Sequence, residues 1–325
     1  MPPSSAPPRQ PSFTGWLLRR LVRACAQFLA ASLLLFLLIQ ALPGDAATVQ
    51  VGQQGSAAVA AERNRLGLDR PVLERYLRWF TDAFRGDLGN TFASSRPVVE
   101  TIAQPALASL TVATVVLLGL LLVTLPLGVI SGARPTHPLS RVLTTISVTL
   151  VAIPEFVVAI VLLGGLAVWA RWLPVLSVPG AGKTVWDNPV CLVLPSLILW
   201  LICSAALIRR IQALVATHAA APYVREAELA GLTQHRVLLG HLLPSAAPGI
   251  LQLLAQTVPY LLGGAVVVET VTSFPGLGYT LVQSVGNREV PVVMAIGSLM
   301  MGIAMVAFSC ADAVAVRQER MVAVV

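Results

Sequence analysis

The sequence predicts an all-α integral membrane protein of about six transmembrane helices, with its amino terminus in the cytoplasm. Three observations predict it. Of its 325 residues, 56% are hydrophobic and only 11% charged, whereas soluble domains carry about 25% charged residues. Long apolar runs recur near 24–42, 106–130, 142–169, 191–208, 250–268 and 292–316. Each is near or above the ~20 residues that a helix needs to cross ~30 Å of hydrocarbon. The arginines are distributed unevenly between the connecting segments, which sets the orientation.

Taken in order, residues 1–15 form a Pro/Ser-rich cytoplasmic tail expected to be disordered, and 16–43 the first transmembrane helix. Arg19-Arg20 before an apolar run has the look of a secretory signal, but cleaved signals have apolar cores of about 7 to 15 residues. The run here is longer, so an uncleaved span is expected. Residues 44–104 form an extracytoplasmic segment, and 105–317 a transmembrane core that contains a cytoplasmic loop at 213–245. Residues 318–325 form a cytoplasmic tail. Pro248, Pro259, Gly263 and Gly264 interrupt the apolar pattern of the fifth run, as is tolerated where neighbouring helices satisfy the backbone.

With the amino terminus inside, twelve of the 22 basic residues fall on cytoplasmic segments: Arg9, Arg19, Arg20, Arg23, Arg134, Arg141, Arg209, Arg210, Arg225, Arg236, Arg317 and Arg320. The short outer loops hold only Arg171, Lys183 and Arg288. This is the positive-inside pattern. The other seven lie in 44–104, where seven acids balance them, and long loops translocate largely regardless of charge. The net charge of +7 is scattered along membrane edges rather than gathered in a stripe, so nucleic acid is not an expected partner. Cys25, Cys191, Cys203 and Cys310 lie in apolar segments and read as small hydrophobes. The four histidines are too dispersed for a metal site, no catalytic constellation appears, and no cofactor is expected.

Two polar features stand out against this background. The first is the stretch from Tyr223 to Pro244. Residues 222–230 favour a helix, Gly231 can take the left-handed conformation that ends one, and Thr233 can cap a second helix. That second helix carries Val237, Leu238, His241 and Leu242 at helical spacing. The second feature is Glu155, which follows Pro154 inside an apolar run. An ionisable residue at such depth is expected to face a cavity or the bundle interior.

Residues 177–184, Ser-Val-Pro-Gly-Ala-Gly-Lys-Thr, fall one glycine short of a phosphate-binding loop. Such a loop links a buried strand to a helix whose amino terminus holds phosphate. Here a membrane span and Trp172-Leu173-Pro174 precede it, and Trp186-Asp187-Asn188-Pro189 follows, so nucleotide binding is not expected.

The spacing of Tyr223, Arg225, Glu226, Ala227, Gly231, Leu232, His241, Leu243 and Pro244 resembles the EAA loop of ABC importer permeases, specifically the peptide and nickel branch. Two positions depart from the general pattern: Arg225 stands where a Glu is usual, and Ala230 where a basic residue is frequent. The ending Leu42-Pro43-Gly44-Asp45 resembles the end of the branch's first helix. The segments at 66–71, 76–79 and 85–89 resemble the external segment that follows it. Residues 263–270 and Phe274-Pro275-Gly276-Leu277-Gly278 resemble the signature after the fifth helix, with Phe274 and Thr272 as mild departures. The ending at 312–317 lacks the branch's usual Asp-Pro-Arg. In all, the resemblance runs from about Arg19 to Asp312.

The resemblance implies a permease subunit in the bacterial cytoplasmic membrane. It would form half of a path for di- or oligopeptides and would not itself be an enzyme. The implied partners are a second permease (a heterodimer), two cytoplasmic ATPase subunits seated on the Gly231 elbow, an extracytoplasmic solute-binding protein and membrane lipid. Glu155, Gly263 and Gly264 become candidate path residues, the glycines by allowing close helix approach, with a tight Pro275-Gly276 turn at the outer surface. Nickel or metal-chelate import is the alternative cargo. A membrane sensor or assembly protein is the alternative class.

Overall fold

The computed structural model of the chain describes residues 13–180 and 182–322. Most of the tail expected at 1–15 lies outside this range, as do 323–325. Among the described residues, the elements are twelve helices. They are α1 (Phe13–Gln40), α2 (Ala46–Val51), α3 (Ser56–Arg65), α4 (Val72–Phe84), α5 (Val98–Ala133), α6 (Pro138–Ala152), α7 (Glu155–Trp169), α8 (Val190–Ala219), α9 (Pro222–Leu229), α10 (Gln234–Thr272), α11 (Leu277–Gly286) and α12 (Val290–Val322). Helix α12 continues to Val322, so no structural change marks residue 318.

Five helices are long and apolar enough to span a membrane: α1, α5, α8, α10 and α12. The run expected to form one span at 142–169 is not a single straight helix. It is broken into α6 and α7, bent by 106°. Proline disfavours helical geometry at the residue before it, and here Ile153 and Pro154 are extended, with ψ of 131° and 140°. Counted as one broken span, the pair brings the total to six.

Helix α8 is the centre of the bundle: 67% of its apolar window is buried, against 17% for α1. The main core joins α5, α7, α8 and α10 through residues such as Val112, Leu120, Ala159, Ile198, Leu199, Ile211 and Ala246. Close approach of α5 to α8 depends on small residues, as is usual where no hydrophobic effect drives helices together in lipid. A Cβ on Gly132 would lie 2.9 Å from the backbone oxygen of Gln212. Beside that contact, the Gln212 amide donates to Ser131 Oγ at 2.8 Å and accepts from Thr144 Oγ1 at 3.1 Å, tying α5, α6 and α8 together.

Prolines that read as interruptions are absorbed instead. Helix α5 widens to a π-turn at Leu120–Thr124 ahead of Pro126, and α10 does so at Leu238–Leu242 ahead of Pro244. The wider turn relieves the clash of the proline ring with the carbonyl four residues back. Helix α10 therefore runs unbroken for 39 residues through Pro244, Pro248 and Pro259.

The 44–97 segment is folded onto the ends of α1 and α12. The Tyr76 hydroxyl lies 2.8 Å from Ser32 Oγ, and its ring packs 5.6 Å from Phe36. The buried Glu289 carboxylate accepts the backbone N–H groups of Phe92 and Ala93, each at 2.7 Å.

Candidate functional site

The polar stretch at 222–243 is a helical hairpin. Helix α9 has proline in its first turn, a favoured position because the missing N–H has no intrahelical partner there. It ends in a Schellman motif. Gly231 N–H donates to Glu228 O at 3.0 Å and Leu232 N–H to Ala227 O at 3.3 Å. Gly231 takes φ +81°, the left-handed conformation that the sequence allows there. Leu232 folds back onto Val224, Ala227 and Val237, which form a small core inside the hairpin.

Two expectations change here, and Ala227 is placed. Thr233 occupies the N-cap position with extended backbone, but its side chain makes no capping bond. Ala227 is 7% exposed within the hairpin's own core, among Val224, Val237 and Leu232. Leu243 and Pro244 do not end the hairpin. Its second arm is the first part of α10 and passes directly into the bundle.

Tyr223 is exposed on one side, yet its hydroxyl lies 2.6 Å from Ser245 Oγ and 3.4 Å from His218 Nδ1, joining α8, α9 and α10 at the base of the hairpin. Arg134 donates to Gln234 Oε1 at 2.8 Å and ties the end of α5 to the second arm. Arg225, Glu226, Gly231 and His241 face outward, Leu243 is half-buried and Pro244 exposed. The sequence reading passed over Leu229. It is 82% exposed, an apolar side chain at the tip of a polar hairpin. Its signal was present: it falls outside the apolar spacing that Val224, Ala227 and Leu232 satisfy.

At its far end, α10 carries Glu269, which is 1% exposed. Its carboxylate accepts the Ser109 hydroxyl at 2.6 Å, Gly278 N–H at 2.7 Å and Tyr279 N–H at 3.2 Å. Ser109 Oγ in turn accepts Leu277 N–H at 2.8 Å. These are free donors of the first turn of α11, so Glu269 and Ser109 cap α11 from two other helices, in keeping with the preference of helix amino termini for anions. The glycines of the signature make room for this. A Cβ on Gly276 would collide with the Glu269 carboxylate, and one on Gly278 would lie 2.5 Å from Val266 Cα. The Pro275-Gly276 turn is therefore drawn inward, with Phe274 fully buried, and is not the outer-surface turn expected.

Glu155 opens α7 at the break and is half-buried. It sits opposite Tyr260 and Gly264 of α10: a Cβ on Gly264 would lie 3.4 Å from Glu155 Oε2 and 3.0 Å from Leu199. Close approach thus accounts for Gly264. A Cβ on Gly263 would meet nothing within 4 Å, so packing within this chain does not require that glycine. The described residues of 177–184 are irregular, with Ser177 N–H bound to Thr272 O. Thr184 donates its N–H and hydroxyl to Asp187, which holds that carboxyl below its usual range. Neither a strand before it nor a helix directly after it gives the loop phosphate-binding geometry.

The described residues thus form a multi-pass helical bundle whose polar hairpin is continuous with the spanning helix α10. The chain matches the model of the binding-protein-dependent transport system inner membrane component over residues 124–323, and the N-terminal model of such membrane components over 13–113. It belongs to that family and is a multi-pass inner-membrane transport protein. It is 28% identical over 289 residues, 89% of this chain and 92% of the relative, to the probable peptide ABC transporter permease y4tP of Sinorhizobium fredii. It is 31% identical over 281 residues, 86% of this chain and 89% of the relative, to the glutathione transport system permease GsiC of Salmonella paratyphi A. The GsiC of Escherichia coli K12 is 30% identical over the same length.

Proposed function

We propose that this permease forms half of a path for di- or oligopeptides, paired with a second permease, and that ATP is hydrolysed by two separate cytoplasmic subunits seated on the α9–α10 hairpin. An extracytoplasmic solute-binding protein delivers the cargo. The observation that carries this reading is the continuity of α10. One helix joins the hairpin that holds Gly231 to Gly264 beside Glu155, and then to Glu269, which caps α11. A push on the hairpin is delivered along a single continuous helix, and a partner that prefers one position of the hairpin shifts the whole bundle. Tyr223, Arg225, Glu226, Leu229 and His241 form the docking face. Ala227, Leu232 and Leu243 support it from inside. Glu155 and Gly264 line the path.

Peptide cargo is favoured by the names of the relatives, a peptide and a glutathione permease. In proteoliposomes containing the complete transporter, labelled dipeptide uptake should require ATP inside and binding protein outside, and unlabelled oligopeptides should compete. Uptake of a nickel chelate without competition by peptides would overturn the cargo assignment.

The arginine asymmetry places 44–97 outside and the hairpin inside. In a cysteine-free background, an impermeant thiol reagent should label Asn90→Cys in intact cells and spare Gln234→Cys until the membrane is opened. The reverse pattern would overturn both the orientation and the docking role.

A further inference from the structure

A cavity of about 370 Å³ lies where the end of α1, the start of α2, α4 and the loop before α12 meet. Its charged lining is Asp45, Arg63, Arg75 and Arg288, three cations against one acid, with Gln40 between them. The acid is already engaged: Asp45 Oδ1 accepts Thr48 N–H at 2.9 Å, and Oδ2 lies 3.3 Å from Arg63 Nε. Arg75 donates to the neutral Gln40 Oε1 at 3.3 Å, and Arg288 to the backbone oxygens of Val285 and Pro43. Two donors among the lining residues, Gln40 Nε2 and Arg288 Nε, are buried with no acceptor. Burial lowers the pKa of Arg75, Asp45 only partly opposes this, and Arg63 adds to it. A half-buried cation with orphaned donors beside it is costly unless an anion completes the site.

Position decides which anion. Gln40 ends the apolar span 18–40, which puts the cavity at headgroup level if 44–97 is external, as proposed above. Helix α1 lies at the edge of the bundle with Leu37 and Leu38 exposed, and on α4, whose Val72 and Arg75 line the cavity, another face exposes Leu73 and Leu77. These apolar flanks suit acyl chains, and guanidinium groups match the oxygens of a phosphate. We propose that this cavity is an oxyanion site that holds the phosphodiester of an outer-leaflet phospholipid against Arg75 and Arg288, pinning the external segment to α1.

The test uses the full chain with the subunits that co-purify with it, delipidated by detergent exchange. Native mass spectrometry should find a phospholipid retained by the wild type, with occupancy about tenfold lower in Arg75→Gln, the loss expected for one charge-assisted hydrogen bond. Arg75→Lys should restore part of it, and Arg70→Gln, outside the cavity, should leave it unchanged. Arg63→Gln, at an exposed position, serves if Arg75→Gln does not fold. Dihexanoyl phosphatidylglycerol should raise the unfolding temperature of the wild type more than inorganic phosphate does. Equal protection by inorganic phosphate with no lipid retained would make this a free-ion site. Protection by a glutamate-rich peptide alone would make it a socket for a protein carboxylate. Either result overturns the proposal, as does lipid retention in Arg75→Gln, or in Arg63→Gln where it replaces Arg75→Gln, equal to that of the wild type. Retention does not depend on sidedness. Reversed labelling at Asn90 with lipid retained would therefore refute the topology and move the site to the other leaflet, whereas correct labelling without lipid would refute the site alone.

Discussion

Replacing Glu269 by Ala is expected to abolish transport and to lower the unfolding temperature of the chain by about 5 °C or more. The carboxylate is the shared acceptor of one hydroxyl and two backbone N–H groups from α5 and α11. Removing it strands all three in an apolar interior, at about 1–3 kcal/mol each, and a chain of this size loses roughly 2–4 °C per kcal/mol. Glu269→Gln should be milder, because the amide oxygen can still accept from Gly278 and Tyr279 while only the Ser109 contact must reverse. Gly278→Val should reproduce the severe effect by another route, since its Cβ would be driven against the backbone of Val266, which cannot rotate aside. Glu100→Gln is the control: it is an exposed acid in the first turn of α5. The measurements are thermal unfolding of the purified chain and thiol accessibility of a cysteine at Tyr279. An unaltered unfolding temperature and an unaltered Tyr279 accessibility in Glu269→Ala would show that α11 is held by packing alone.

Much of this architecture is legible in the sequence, and the parts that are not share a physical reason. Apolar run length located the spans because burial in lipid acts on every residue of a segment. Gly231 was legible because a left-handed position is a property of one residue and its immediate neighbours. The break at Pro154 was a local signal too, but it was masked by apolar residues on both sides, and hydropathy does not register backbone direction. Pro244 was misread as an end because the π-turn that absorbs it lies upstream, in residues with no distinguishing composition. Glu269 was quoted within the signature but given no role. Its partner Ser109 is 160 positions away, and nothing in a sequence marks such a pair. Ala227 shows a further limit: a small residue on a polar hairpin reads equally well as facing a partner or facing the hairpin's own core.

That last distinction separates two kinds of hairpin variant. Leu229→Asp should leave folding, insertion and pairing of the permease intact, because the side chain is 82% exposed and lies outside the hairpin core. If ATPase subunits dock on this face, placing a charge where an apolar anchor was buried should cost several kcal/mol of binding, as central contacts of an interface do. Uptake should then fall by two or more orders of magnitude at about 1.4 kcal/mol per factor of ten. Gly231→Val should lose docking for a different reason. A β-branched residue at φ +81° is strained by about 1–2 kcal/mol, which loosens the Schellman turn and the angle between α9 and α10. Ala227→Asp should do so most severely, by placing a carboxylate among Val224, Val237 and Leu232. The three are told apart by limited proteolysis of the hairpin: Leu229→Asp should be as resistant as the wild type, and the other two should be cleaved. Co-purification of ATPase subunits with each variant gives the docking readout, and Asn90→Ala, in the 44–97 segment, is the control. Normal ATPase retention and uptake in Leu229→Asp would remove the apolar tip from the docking face. The same result in Gly231→Val as well would leave the hairpin a surface loop without a coupling role.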